Sequence, residues 1–219
     1  MILTSNNPVL AQAITIHPKM RRSPVETRLL KPVSTNKKMG NKKNIVAKGK
    51  WKGMPMFQLT LEERATCDSQ CKQWAGCFGN NMVFAHRIDH THPEFLPRLA
   101  AEIAEMAALY RNFVIRPHIL GDFFSEEYAQ FWMDQVQLHP GLHIFGFTHR
   151  QRTSPIGRII LEGNKDPRVW IRFSDQGGDM SANVEGEGIQ CPEQTEKTES
   201  CLTCGICWTT TKPVRFIRH

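Results

Sequence analysis

No stretch of this 219-residue chain approaches the roughly 20 consecutive apolar residues of a membrane-spanning helix, which excludes a helical membrane protein. The N-terminal segment lacks the apolar core of an export signal, so the expected compartment is the cytoplasm. Acidic residues are nearly missing from the first 52 positions. There Glu26 alone faces twelve basic side chains: Lys19, Arg21, Arg22, Arg28, Lys31, Lys37, Lys38, Lys42, Lys43, Lys48, Lys50 and Lys52. The leader therefore carries net +11 and the remainder net −4, within a total of +7. A basic arm on a mildly acidic body suits sequence-independent contact with phosphate, and nucleic acid is the expected partner. A solvated, partly disordered leader has the same composition.

What the chain does hold is seven cysteines. Without an export signal a disulfide framework is not expected, because cytosolic thiols stay reduced and clustered ones there serve as metal ligands or catalytic groups. Spacing splits them into Cys67, Cys71 and Cys77, and a second set of Cys191, Cys201, Cys204 and Cys207.

Residues 1–52 show little periodicity and read as a loosely ordered leader, with a short strand near Ile45–Ala47. Residues 53–185 read as a partial α/β barrel and 186–219 as a cysteine-rich segment with a closing strand. Strands are expected at Met56–Leu61, Phe113–Leu120, Leu142–Phe147, Arg168–Phe173 and Pro213–Arg218. Helices are expected over Pro97–Arg111, from an N-cap at Ser125 to about Leu138, and around Pro155–Glu162. Pro117 suits an edge position or a bulge. Alternating strands and helices predict a parallel sheet, and five or six units are too few for a complete eight-stranded barrel. The expected fold class is thus α/β, a partial parallel (β/α) barrel of five or six strands, open rather than closed.

In such folds chemistry gathers where strands end. The ends here are polar: Thr66-Cys67 with its cysteine loop, Gly121-Asp122 through Ser125, Thr148-His149-Arg150, and Ser174-Asp175. Helix capping accounts equally well for Asp122 or Ser125 taken alone. Arg150 and Arg152 suit a phosphate or carboxylate. Three thiolates leave a tetrahedral zinc site one ligand short, a vacancy that His86 or His90 would fill structurally or a small molecule catalytically. A four-iron cluster on three cysteines likewise keeps one iron open. The four C-terminal cysteines make a closed set, for zinc or a second cluster.

The cysteine loop after the first strand, the Gly-Asp turn and the C-terminal cysteine group together resemble the radical S-adenosylmethionine enzymes, which use a partial (β/α)6 barrel. More closely, His118–Ser125, Ile144–Arg150, Cys191–Gln194 and Cys201–Trp208 resemble a family of small phage proteins, over roughly residues 53–219. That group includes a radical S-adenosylmethionine isomerase of thymidine hypermodification, which protects viral DNA from host restriction. The resemblance implies a [4Fe–4S] cluster on Cys67, Cys71 and Cys77, and S-adenosylmethionine received at Gly121, Asp122 and Ser125. It further implies catalytic roles for Asp122, His149 and Asp175, an electron donor, and glycinylthymidine in DNA as substrate, in the host cytoplasm. One departure stands out: the family spacing is C-x3-C-x2-C, whereas this chain has C-x3-C-x5-C, three residues longer within Lys72–Gly76.

Two other classes use some of the same features. A base transglycosylase inserting a 7-deazaguanine would use Asp175 or Asp122 as nucleophile and bind zinc through Cys201, Cys204, Cys207 and either Cys191 or His219. Its family spacing is C-x-C-x2-C rather than C-x2-C-x2-C, and it leaves the first three cysteines without a role. A zinc-stapled, non-enzymatic nucleic-acid-binding module would need only the basic arm and the metal.

Overall fold

Alternation along the apolar strands gives the sheet two faces, and each face builds its own core. The computed structural model describes residues 27–217, except 69–70, 72, 75–76, 78, 80–81 and 83–84. Eight strands form one sheet: β1 (Lys31–Pro32), β2 (Met56–Gln58), β3 (Phe113–Arg116), β4 (Leu142–Thr148), β5 (Val169–Ser174), β6 (Ser181–Asn183), β7 (Ile189–Gln190) and β8 (Val214–Arg215). Their order is β1-β2-β3-β4-β5-β6-β8-β7, with β1 antiparallel to β2 and every other neighbouring pair parallel. The sheet is open, with β1 and β7 at its edges.

The helices are α1 (Glu63–Thr66), α2 (Phe95–Leu109), α3 (Glu126–Leu138), α4 (Pro155–Gly163) and α5 (Cys201–Cys204). Ser125 and Ser154 begin α3 and α4 by accepting from the N–H groups of Tyr128 and Gly157. Phe57, Phe113, Ile115, Leu142, Ile144, Val169, Ile171 and Phe173 face these helices and meet Leu99, Ile103, Trp132, Val136 and Ile160. Met56, Val114 and Phe145 face the other way, onto Trp51, Cys191, Leu202, Cys207, Trp208 and Val214. The C-terminal cysteine segment, with the single turn of α5, therefore fills the side of the sheet opposite α2, α3 and α4.

Several expectations change here. The leader is packed from residue 27 onward: Leu29, Leu30, Val33, Met39, Val46 and Trp51 are all buried. The carboxylate of Glu102, buried on α2, accepts from the N–H groups of Leu29 and Leu30 at 2.9 and 2.8 Å. That anchoring replaces the loose order expected of a Lys-rich segment, and residues 1–26 lie outside the described part. Eight strands replace five or six, because β1, β6 and β7 are too short to leave a pattern. Near Ile45 there is only a single bridge, to Pro55. β3 is interior, not an edge, and stops at Arg116 because Pro117 has no N–H to give. The strand expected at Pro213–Arg218 is the short β8, which lies between β6 and β7. Among the described residues no helix is long and apolar enough to cross a membrane.

Candidate active site

The C-terminal ends of five adjacent strands are tied to one another by side chains. After β2, Thr66 accepts on its hydroxyl from the Asp122 N–H at 3.3 Å and on its carbonyl from Arg150 Nη2 at 2.7 Å. Arg150 also donates through Nε to the Phe123 carbonyl at 2.7 Å, so one guanidinium fastens the loop after β3 to the residue before Cys67. Asp122 closes the same ring, accepting from the N–H of Phe123 at 2.7 Å and of His149 at 2.8 Å. Further along, Gln176 donates to the Arg150 carbonyl and accepts from the Arg152 N–H, each at 2.9 Å. Asp175 accepts from the Val184 N–H at 2.8 Å, reaching the end of β6.

Of the residues singled out from sequence, Cys67, Cys71, Cys77, Asp122, His149 and Asp175 share this rim. Cys67 lies within electrostatic reach of Asp122, Cys77 and Cys71, and Cys71 within reach of Asp175. All three thiols are half-buried and unpaired by disulfides. Burial pushes each thiol up, Cys71 to about 11, and the Asp122 carboxylate adds to the effect at Cys67. Burial raises Asp122 as well, against the opposing donation of the His149, Thr148 and Phe123 groups. Asp122 is 3% exposed and its carboxylate is engaged by main-chain donors, so it holds loops in place. Ser125 is spent as the cap of α3. His149 differs: its Nδ1 is shut off from solvent with no partner among the described residues. Asp175 adopts a left-handed backbone, φ 55°, and lines a cleft of about 340 Å³ with Gln73, Asn183, Val184 and Glu187 among others.

Gly121 makes the close approach possible. Its φ is +92°, and a Cβ there would stand 2.7 Å from the Thr66 hydroxyl and 2.8 Å from the Leu61 Cβ. Below the cysteine loop, Glu63 and Arg87 form a buried bidentate pair at 2.6 and 2.8 Å, and Arg87 also donates to the carbonyls of Gly79, Met82 and Ala85. Arg64 donates to the Trp74 carbonyl and stacks on its ring. Of the two histidines considered as a fourth metal ligand, His86 places its Nδ1 3.0 Å from Lys31 Nζ, and His90 packs on Phe124. His219 lies outside the described residues.

The sequence reading missed the buried arginines Arg87 and Arg172 and the half-buried Arg116. A signal was present for the last two, each a lone charge in an otherwise apolar strand. Among the described residues no group of three or more His, Cys, Asp or Glu side chains is spaced to hold a metal ion as it stands. The front thiols nevertheless fit such a centre in kind, being soft donors gathered in one loop.

The architecture is an open, mostly parallel α/β sheet with polar loops meeting at the C-terminal ends of its neighbouring strands. The chain belongs to the Gene product 88 family, whose model matches residues 28–200, and the match agrees with a phage origin. No curated protein and no solved structure matches it.

Proposed function

We propose that this protein is a radical S-adenosylmethionine-type isomerase that rearranges an amino-acid-modified thymidine, glycinylthymidine, in phage DNA. The observation that carries the proposal is the meeting of Cys67, Cys71 and Cys77 with Asp122 and Asp175 at adjoining strand ends. Cys67, Cys71 and Cys77 would hold a [4Fe–4S] cluster, and the main chain at Gly121 and Asp122 would receive the methionine amino group. Bound cluster and cosubstrate supply hydrogen-atom abstraction, driven by one electron from a donor.

The chain's own residues do the positioning. Arg150 and Asp122 hold the cysteine loop against the ends of β3 and β4, which fixes the donors before any ligand arrives. His149 Nδ1 lacks a partner among the described residues and would meet a substrate only once the rim opens to expose it. Asp175, beside Cys71 and in the cleft, suits the amine of a glycinyl group by charge. Lys37, Lys42, Lys48 and Lys52 are exposed and supply phosphate contacts.

Anaerobic purification and reconstitution, followed by iron, sulfide and zinc analysis, tests this reading. The expected result is a brown protein with about four irons per chain that are lost in Cys67→Ala. A colourless protein that takes up no iron on reconstitution overturns it and promotes the transglycosylase, in which Asp175→Ala is the damaging change and Cys67→Ala is silent.

A further inference from the structure

One loop of the leader keeps its positive charge unanswered. Residues 46–54 (V-A-K-G-K-W-K-G-M) carry Lys48, Lys50 and Lys52 and no acidic side chain, and all three lysines are exposed. Several basic groups elsewhere are answered: Arg28 meets Glu105, Lys38 meets Glu193, Lys43 meets Glu199 and Lys165 meets Glu162. The ion pairs formed among the described residues include none of the loop's three lysines. Like charges on one short loop repel one another, and an anion from outside relieves that repulsion.

The loop holds its shape without a ligand. Its ends pair through the Val46 N–H to the Met54 carbonyl at 2.9 Å and the Gly53 N–H to the Val46 carbonyl at 2.8 Å. Trp51 points inward, 2% exposed, and stacks on Trp208 with ring centres 5.8 Å apart, while the Ala47 N–H donates to the Leu202 carbonyl. Lys50 is laid across Trp170, its Nζ 3.6 Å from the ring centre, and donates to the Pro167 carbonyl at 3.2 Å. Partial desolvation lowers this ammonium from 10.5 to about 8, as expected of a cation that has given up water and gained no anion. Lysines held in place before binding lose less freedom when a partner arrives.

The loop stands at the foot of the sheet. Trp51 packs edge-on against His143 at the start of β4, and Trp170 is the second residue of β5, whereas the rim lies at Thr148 and Ser174, the far ends of the same strands. The six residues from His143 to His149 span about 20 Å. We infer that residues 46–54 are a docking loop for the sugar–phosphate backbone of a nucleic acid, held at the foot of the sheet while the nucleotide to be altered lies at the rim. The inference rests on the reading of the rim as the place of chemistry, and it makes the substrate a polymer. At about 3.4 Å per nucleotide, bridging foot and rim takes about six nucleotides, beyond the reach of a free nucleotide. Lysine suits phosphate as a hydrated point charge. A membrane suits the loop less, because residues 47–53 expose no large apolar side chain.

The experiment compares the full chain with Lys48→Gln/Lys50→Gln/Lys52→Gln and with a control of equal charge loss, Lys165→Gln/Lys197→Gln/Lys212→Gln. The probe is fluorescein-labelled DNA of about 20 unmodified nucleotides, single-stranded and duplex, followed by anisotropy across about 50–300 mM salt. The loop variant should bind at least about tenfold more weakly, and its plot of log affinity against log salt should be shallower by about 2–3, from the loss of three phosphate contacts. The control should stay close to the unaltered chain. No binding by the unaltered chain, a loop variant that matches it, or an equal loss in the control overturns the inference. Binding to phosphatidylcholine–phosphatidylserine vesicles that the loop variant loses while it keeps DNA overturns it in favour of a membrane. Should the triple change unfold the chain, Lys48→Gln/Lys52→Gln decides: a slope shallower by about 1.5 supports the loop, and an unchanged slope refutes it. Iron bound through Cys67 is not read in this titration, so the docking loop and the rim's chemistry stand or fall separately.

Discussion

The two groups of cysteines are built in opposite ways. The C-terminal set is packed on the sheet face opposite α2, α3 and α4, with Arg172 clamping its carbonyls and α5 and β8 framing it. The front set sits at the rim on a loop, held from beneath by Glu63 with Arg87 and at its mouth by Arg150. One arrangement invests in anchoring and the other in access. The C-terminal set buries two of its thiols, Cys191 and Cys207, whereas all three thiols at the converging strand ends are half-buried.

The contrast breaks most visibly at Arg172. Arg172→Leu strands several buried carbonyls, and urea denaturation should show a loss of about 3–5 kcal/mol. A small loss would mean that the C-terminal set is not an anchor. The front is set apart next by pH. His118, beneath the rim, is held neutral because burial lowers its pKa from 6.5 to about 3, with Arg116 and Arg150 adding to the effect. Below pH 6.5 only the unfolded chain takes up that proton, so stability should fall by about 1.4 kcal/mol per pH unit until about pH 3. Between pH 6 and 4 that is about 2–3 kcal/mol, and His118→Phe should flatten the slope; an unchanged slope would place the sensitivity elsewhere.

Arg150→Ala should cost less, about 1–2 kcal/mol, because its guanidinium is only half-buried. Its signature is local: amide exchange near Thr66 and Phe123 should quicken while β5 and β8 stay protected, and uniform quickening would contradict a local latch. Smallest is Ser125→Ala, about 1 kcal/mol from loss of the α3 cap. Binding of S-adenosylmethionine should survive that change; its loss would return Ser125 to the ligand.

Much of the fold was legible in the sequence. The apolar runs of β4 and β5 and the Ser125 cap of α3 carry local signals strong enough to place those elements within a residue or two. β1, β6 and β7 hold two or three residues each, so their pairing is a tertiary fact without a local pattern. The leader was misjudged from Thr27 onward because abundant lysines masked apolar positions spaced to fit loops rather than a helix or strand. At the site, the residues sharing the rim were legible from the polar ends of apolar runs. The use each carboxylate serves was not. Whether Asp122 binds a ligand or two main-chain N–H groups depends on where the loops from β3 and β4 meet, which spacing along the chain does not encode.

β7 pairs with β8 alone, and β8 takes the position between β6 and β7. Each of these short strands makes the other's seat, so the two and the cysteine-bearing stretch strung between them join or leave the sheet as one cooperative unit. Access to the two buried thiols, Cys191 and Cys207, is therefore gated by that unit's opening, on the clock of a partial unfolding rather than of a swinging side chain.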